Sequence, residues 1–188
     1  FGVKVSDVDA DMRRQIKAMS YGLAYGLSSY GLAQQLDISP TDASILMGKY
    51  FERFGGIQIY LKEVVRVARE NGYTETILGR RRYLPDLTHE NRQRREVAER
   101  MALNAPIQGS AADIIKVAML NVESAIKKEK LSSRLLLQVH DELIFEVAAG
   151  EHEKLEVLVR REMGSAYPLK APLDVNIGFG KSWDLAAH

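Results

Sequence analysis

The chain changes character near residue 130, and this change constrains its fold more than any other feature. Before it, apolar residues recur at spacings of three and four. After it they bunch into two short runs, 135–139 and 143–147, parted by the polar His140-Asp141-Glu142. Spacing of three and four puts side chains on one face of a helix. Two short apolar runs around a polar break predict a β-hairpin with one face packed on helices. The expected class is α+β, helices first and then a small antiparallel sheet.

Local signals fill in that outline. Asp7 or Asp9 can cap a helix over 10–20, which runs into Tyr21-Gly22 and Tyr25-Gly26. A glycine costs a helix about 1 kcal/mol, so two of them four apart point to close backbone approach or a bend. Ser39-Pro40-Thr41-Asp42 starts a helix, with Ser39 as cap and Pro40 in its first turn. Ala43, Leu46, Met47, Tyr50, Phe51 and Phe54 give that helix one apolar face, and Gly55-Gly56 end it. A helix over 57–70 closes at Asn71-Gly72, and residues 73–85 predict a short hairpin. Helices over 91–103 and 106–128 are expected to be separated at Pro106, which has no N–H to donate. Asp113 then reads as a first-turn acid of the second helix, following Ser110. A helix over 151–163 and a closing strand over 173–177 complete the pattern.

Composition narrows the chemistry. Absence of cysteine among the 188 residues excludes a disulfide framework, a thiolate zinc site and a cysteine nucleophile. No apolar stretch approaches the ~20 residues that cross a bilayer, and Phe1-Gly2-Val3-Lys4 show no secretory leader. His89, His152 and His188 lack metal-ligand spacing. The formal charge of +1 conceals a basic stretch: from Arg80 to Arg100, seven arginines stand against four acids, a local +3. The planar guanidinium suits phosphate, yet the same pattern also describes a solvated face.

Two constellations carry sharper chemistry. Asp141 and Glu142 sit at a hairpin tip in a setting too apolar for a solvated loop. Carboxylates so placed can hold the divalent ions that phosphoryl transfer uses, although acid pairs in turns also simply solvate a bend. Arg13, Lys17 and Tyr21 are spaced i, i+4, i+8 and form a stripe that Tyr25 continues imperfectly. Eight residues span about 12 Å of helix, comparable with a nucleotide from triphosphate to base. Two cations would grip phosphates and a ring would stack a base; the alternative is an amphipathic surface helix with core tyrosines.

Gln138-Val139-His140-Asp141-Glu142 resembles the third conserved motif of family A DNA polymerases, the bacterial DNA polymerase I class. Arg13-Arg14-x-x-Lys17-x-x-x-Tyr21-Gly22-x-x-Tyr25-Gly26 resembles the fingers-helix motif of the same family. The run from Arg100 through Asn104 and Gln108 to Asp113, and the closing Gly178-Phe179-Gly180-Lys181-Ser182-Trp183, resemble it too. The resemblance covers nearly the whole chain, whose end looks natural. It implies an incomplete right-hand polymerase: a helical fingers subdomain over 1–90 and the C-terminal part of an antiparallel-sheet palm over 91–188. The thumb and the upstream palm strand, which bears the family's other metal-binding aspartate, are not in this sequence.

The implied activity is that of a DNA-directed DNA polymerase, a nucleotidyltransferase of replication and repair that adds deoxynucleotides to a primer 3′-OH with two Mg2+ ions. In such a site Asp141 binds metal, Glu142 lies beside it and His140 contacts the primer end. Arg13 and Lys17 hold the triphosphate of the dNTP, and Lys17 is a candidate proton donor to departing pyrophosphate. Tyr21 and Tyr25 also belong to the dNTP site. Many members have phenylalanine at the place of Tyr21, so its hydroxyl implies weak discrimination against dideoxynucleotides. Arg100, Asn104 and Gln108 would meet the minor groove of template–primer DNA, where donors check pair geometry without reading sequence; the alternative is that Asn104 and Gln108 bond local backbone at a helix break. The complete enzyme is expected to be monomeric, away from membranes, in the bacterial cytoplasm at the nucleoid. Residues 1–188 alone are expected to be inactive. The competing readings are a non-catalytic nucleic-acid-binding module built on the basic stretch and a nucleotide-binding structural domain.

Overall fold

A computed structural model describes residues 1–186; residues 187 and 188, and with them the expectation for His188, lie outside the described residues. The chain forms two compact units, 1–109 and 110–188. Among the described residues the strands make two separate two-stranded antiparallel sheets beside the helices, so the α+β class holds.

In the first unit, α1 (Ala10–Ala24) starts at Asp9, whose carboxylate accepts the Met12 N–H at 2.7 Å. It runs past the expected end at 20 because Gly22 fits beneath Leu27: a Cβ there would lie 2.7 Å from Leu27 Cδ2. Gly26, at φ +71°, then turns the chain. A helix α2 (Ser29–Leu36), which the sequence reading missed, follows with Ser28 as its cap; Gly26 before it and Gly31 within it mask its signal. The helix α3 (Pro40–Arg53) begins at the Ser39 cap as expected, and α4 (Gly55–Asn71) starts directly after it. Met19, Leu23, Leu32, Ala33, Leu36, Ala43 and Tyr50 form the core of this helical group. Removing a fully buried Leu or Met from water contributes roughly 1.5–3 kcal/mol, which makes this cluster the main reason α1, α2 and α3 hold together.

A hairpin of β1 (Tyr73–Glu75) and β2 (Arg81–Tyr83), in register Tyr73↔Tyr83, follows α4. Ala68, Leu84, Leu87, Ala98 and Ala102 make a smaller core close to it in sequence. Next comes α5 (Arg92–Lys128), a 37-residue helix with Pro106 inside it. The expected break at Pro106 does not occur. Proline costs a helix interior about 3 kcal/mol; Ala98 and Ala102 before it and Ala118 and Val122 after it are buried, and that packing offsets the lost hydrogen bond. Asp113 is consequently not a first-turn acid but a mid-helix residue, 7% exposed.

The second unit packs α6 (His152–Gly164) and the C-terminal part of α5 around Val122, Ile126, Leu155, Leu158 and Val159. Its hairpin joins β3 (Arg134–Val139) to β4 (Glu142–Glu146), with a register shift between Leu135 and Leu137. The closing strand expected over 173–177 is absent: Arg160 Nη1 donates to the Val175 carbonyl at 2.6 Å, so a side chain takes a group that a ladder would use. Ile177 nevertheless packs on the core, which is why its apolar alternation read as a strand. No helix among the described residues is long and apolar enough to cross a membrane.

One carboxylate ties this unit together. Glu151 accepts the N–H groups of Ser132 and Ser133 at 2.9 and 2.8 Å and the Ser133 hydroxyl at 2.6 Å, while Ser133 Oγ accepts the Ala148 N–H at 2.9 Å. The base of the β3–β4 hairpin is thereby fastened to the start of α6. The donated bonds, that of Ser132 foremost, hold the Glu151 carboxyl below its ordinary range. A depressed folded-state pKa contributes stability above the unfolded value and loses it as pH falls through the folded one. Glu151→Gln should therefore lower the thermal midpoint at pH 7, and the gap from wild type should close as pH falls below about 4. Thermal unfolding across pH checks this; a gap independent of pH would contradict it.

Candidate nucleotide and nucleic-acid site

The face that α1 turns to solvent follows from the face it buries. Met19 and Leu23 are 1% and 4% exposed, and Tyr50 Oη donates to Ser20 Oγ at 3.4 Å, fixing the helix from α3. Arg13, Lys17 and Tyr21 lie on the opposite side and are exposed, as is Tyr25. Tyr25 is the C-cap residue, outside helical geometry, which accounts for its imperfect place in the stripe. Arg14, next to Arg13, is occupied by Asp11 at 3.2 Å. Neither Arg13 nor Lys17 has an ion pair or side-chain hydrogen bond among the described residues. Two uncommitted cations about one helical turn apart, followed by an exposed phenol ring, form a surface suited to a polyphosphate with an attached base.

The acidic turn is built as tightly as its sequence suggested. Val139 pairs with Glu142, leaving His140 and Asp141 as a two-residue loop, with Glu142 already the first residue of β4. His140 adopts φ +52°, a left-handed conformation that costs a side-chain-bearing residue roughly 1–2 kcal/mol. Gln138 Nε2 donates to the His140 carbonyl at 2.7 Å and holds that turn closed. Asp141 and Glu142 are both exposed. Trp183 Nε1 reaches Glu142 Oε2 at 3.3 Å from the C-terminal tail, a contact the sequence reading missed because 41 residues separate the partners. Hard carboxylate oxygens of this kind fit magnesium, which takes one or two protein carboxylates. No group of three or more His, Cys, Asp or Glu that could hold a metal occurs among the described residues.

On α5, Arg100 and Gln108 are exposed, whereas Asn104 is half-buried with its Oδ1 enclosed and unpartnered. The helix runs unbroken through them, so the alternative of bonding at a helix break does not apply. The basic stretch is largely spent internally. Arg80 donates to the Gly109 carbonyl, Arg81 pairs with Glu75, Arg92 with Glu96 and Arg94 with Asp86, and Arg95 donates to the carbonyls of His89 and Glu90. Of its seven arginines, Arg82 and Arg100 alone lack such a partner among the described residues.

The model of DNA polymerase family A matches residues 1–185. The chain belongs to that family. It is 64% identical over all 188 residues to DNA polymerase I of Mycobacterium leprae, and 50% identical over 183 residues to DNA polymerase I of Bacillus caldotenax. Its fold matches the POL domain of Pol1 from M. smegmatis, solved in complex with DNA primer-template and dNTP, with TM-score 0.96 and 65% identity, covering 100% of this chain and 33% of that one. The chain spans 21% of the length of either curated relative. Family A membership thus rests on nearly every residue, while the larger part of each relative lies outside this chain.

Exposed side chains without ion pairs contribute little to folding. Arg13→Ala and Lys17→Ala should each shift stability by no more than about 0.5 kcal/mol, the usual range for unpaired surface positions. Denaturant unfolding measures this, and a loss well above that range would make the stripe structural.

Proposed function

We propose that this chain is the fingers and C-terminal palm part of a DNA-directed DNA polymerase, which in its complete form adds deoxynucleotides to a primer 3′-OH. The observation that carries the reading is the pair of uncommitted cations, Arg13 and Lys17, on the exposed face of α1 in a family A chain. The solved neighbour binds primer-template and dNTP, which supports template–primer DNA and deoxynucleoside triphosphates as partners here. Residues 1–90 are assigned to the fingers and 91–188 to the palm, with the complete protein a monomer in the bacterial cytoplasm at the nucleoid. A purely nucleic-acid-binding role is disfavoured because five of the seven arginines from 80 to 100 are engaged within the chain.

In this reading Arg13 and Lys17 neutralise the triphosphate, and Tyr21 lies against the sugar and base, with Tyr25 beyond it. When the primer 3′-oxygen displaces pyrophosphate from the α-phosphorus, Lys17 Nζ would give a proton to the leaving group. Asp141 would hold Mg2+ with Glu142 beside it, the second aspartate ligand of the two-ion pair lying outside this chain, and a metal held there would supply charge stabilisation to the transferring phosphoryl group. His140, held in its turn by Gln138, would meet the primer end, and Arg100, Asn104 and Gln108 the duplex minor groove. The Tyr21 hydroxyl would weaken discrimination against dideoxynucleotides. With part of the metal site elsewhere, residues 1–188 alone would not polymerise DNA.

Asp141→Ala in the complete polymerase should reduce primer extension by at least about 10³-fold, as expected when charge stabilisation at the reacting phosphoryl group is lost. Duplex affinity should stay near wild type. Single-turnover extension and primer-template titration check both arms, and an extending Asp141→Ala enzyme would sink the proposal.

A further inference from the structure

The C-terminal tail is anchored at one point and folded back on itself at another before it reaches the acidic turn. The Phe179 ring lies against the His152 ring at the start of α6, with centroids 4.1 Å apart. At Gly180 the tail folds back on itself so closely that a Cβ would sit 2.6 Å from the backbone C and O of Leu185 and 2.7 Å from the Ala186 nitrogen. Backbone atoms cannot swing aside as a side-chain end can, so only glycine fits. The fold-back is the short 3-10 turn Trp183–Leu185, whose Leu185 and Ala186 N–H groups donate to the Ser182 carbonyl at 3.1 and 3.0 Å. This turn sends the indole to the β3–β4 hairpin, where Nε1–H donates to Glu142 Oε2 at 3.3 Å.

Indole offers one donor and no acceptor, so its N–H can meet a carboxylate but cannot compete for a cation. Trp183 is 49% exposed, more than a tryptophan retained only for core packing would be. A donor on one carboxylate oxygen fixes the orientation of the other, and partners of this kind set how well a ligating carboxylate meets its ion.

We infer that Trp183, seated by Gly180 and Phe179, is a positioning residue for the acidic turn, orienting Glu142 beside Asp141 so that the pair meets a divalent cation in a productive geometry. This rests on the proposed role of Asp141 and Glu142 and adds a part to it: the Trp183–Leu185 turn belongs to the acid site without touching substrate.

The test uses the complete polymerase on primer-template with a dideoxy-ended primer and the next dNTP, so that no turnover occurs, and reads Mn2+ affinity by electron paramagnetic resonance. Trp183→Phe keeps an aromatic ring and removes the donor. It should weaken Mn2+ binding by about 3- to 10-fold, at or below the low end for loss of an outer partner of a metal ligand. Primer-template affinity should be unchanged. Gly180→Ala keeps the indole but displaces the turn that aims it, and should weaken Mn2+ in the same direction. Wild-type Mn2+ affinity in either variant overturns the inference, as does a loss of Mn2+ binding matched by an equal loss of DNA binding. Asp141→Ala separates the layers: if it too binds Mn2+ normally, the assignment of the acid site fails, whereas its loss beside an unaffected Trp183→Phe removes the role of Trp183 alone.

Discussion

Burial of Met19 and Leu23 against Leu32, Leu36, Ala43 and Tyr50 determines which way α1 faces, and the chemistry of the first unit follows from that. A helix with one face in a core must offer the other to solvent. The residues so offered are two cations and a tyrosine, with the neighbouring Arg14 already drawn off by Asp11. Cations left unpaired at a surface gain nothing for the fold, so their spacing is free to match a ligand. Gly22 serves the same arrangement from inside, letting Leu27 close over the helix.

The second unit treats its acids differently. Asp141 and Glu142 are exposed, but the chain around them is held from several directions. Gln138 closes the turn at His140, Glu151 fastens the hairpin base to α6, and Trp183 reaches Glu142 from the tail. The left-handed His140 is a local cost that these contacts sustain. A tip restrained in this way would lose little freedom on taking up a cation, as the proposed acid site requires.

Legibility in the sequence followed the range of the interactions. Helix caps at Asp9 and Ser39, the paired runs around 140–142 and the i, i+4, i+8 stripe are local, and each was readable from a few neighbouring residues. Family membership was readable too, because its motifs are compact strings. Features decided by distant partners were not. The continuity of α5 through Pro106 depends on packing that a proline rule ignores, and the segment 173–177 kept its strand-like alternation while Arg160 took one of its carbonyls. The internal pairing of the basic stretch and the Trp183–Glu142 contact likewise needed the fold. The helix α2 was hidden by Gly31 within it and Gly26 before it.

In the proposed function the stripe on α1 reads phosphates. The most direct measurement compares the affinities of dATP, dADP and dAMP opposite a template thymine in the complete polymerase with a dideoxy-ended primer. Affinity should fall with each phosphate removed, and in the Arg13→Ala/Lys17→Ala double variant the three nucleotides should bind almost alike. A double variant that kept the wild-type dependence on phosphate number would contradict the account.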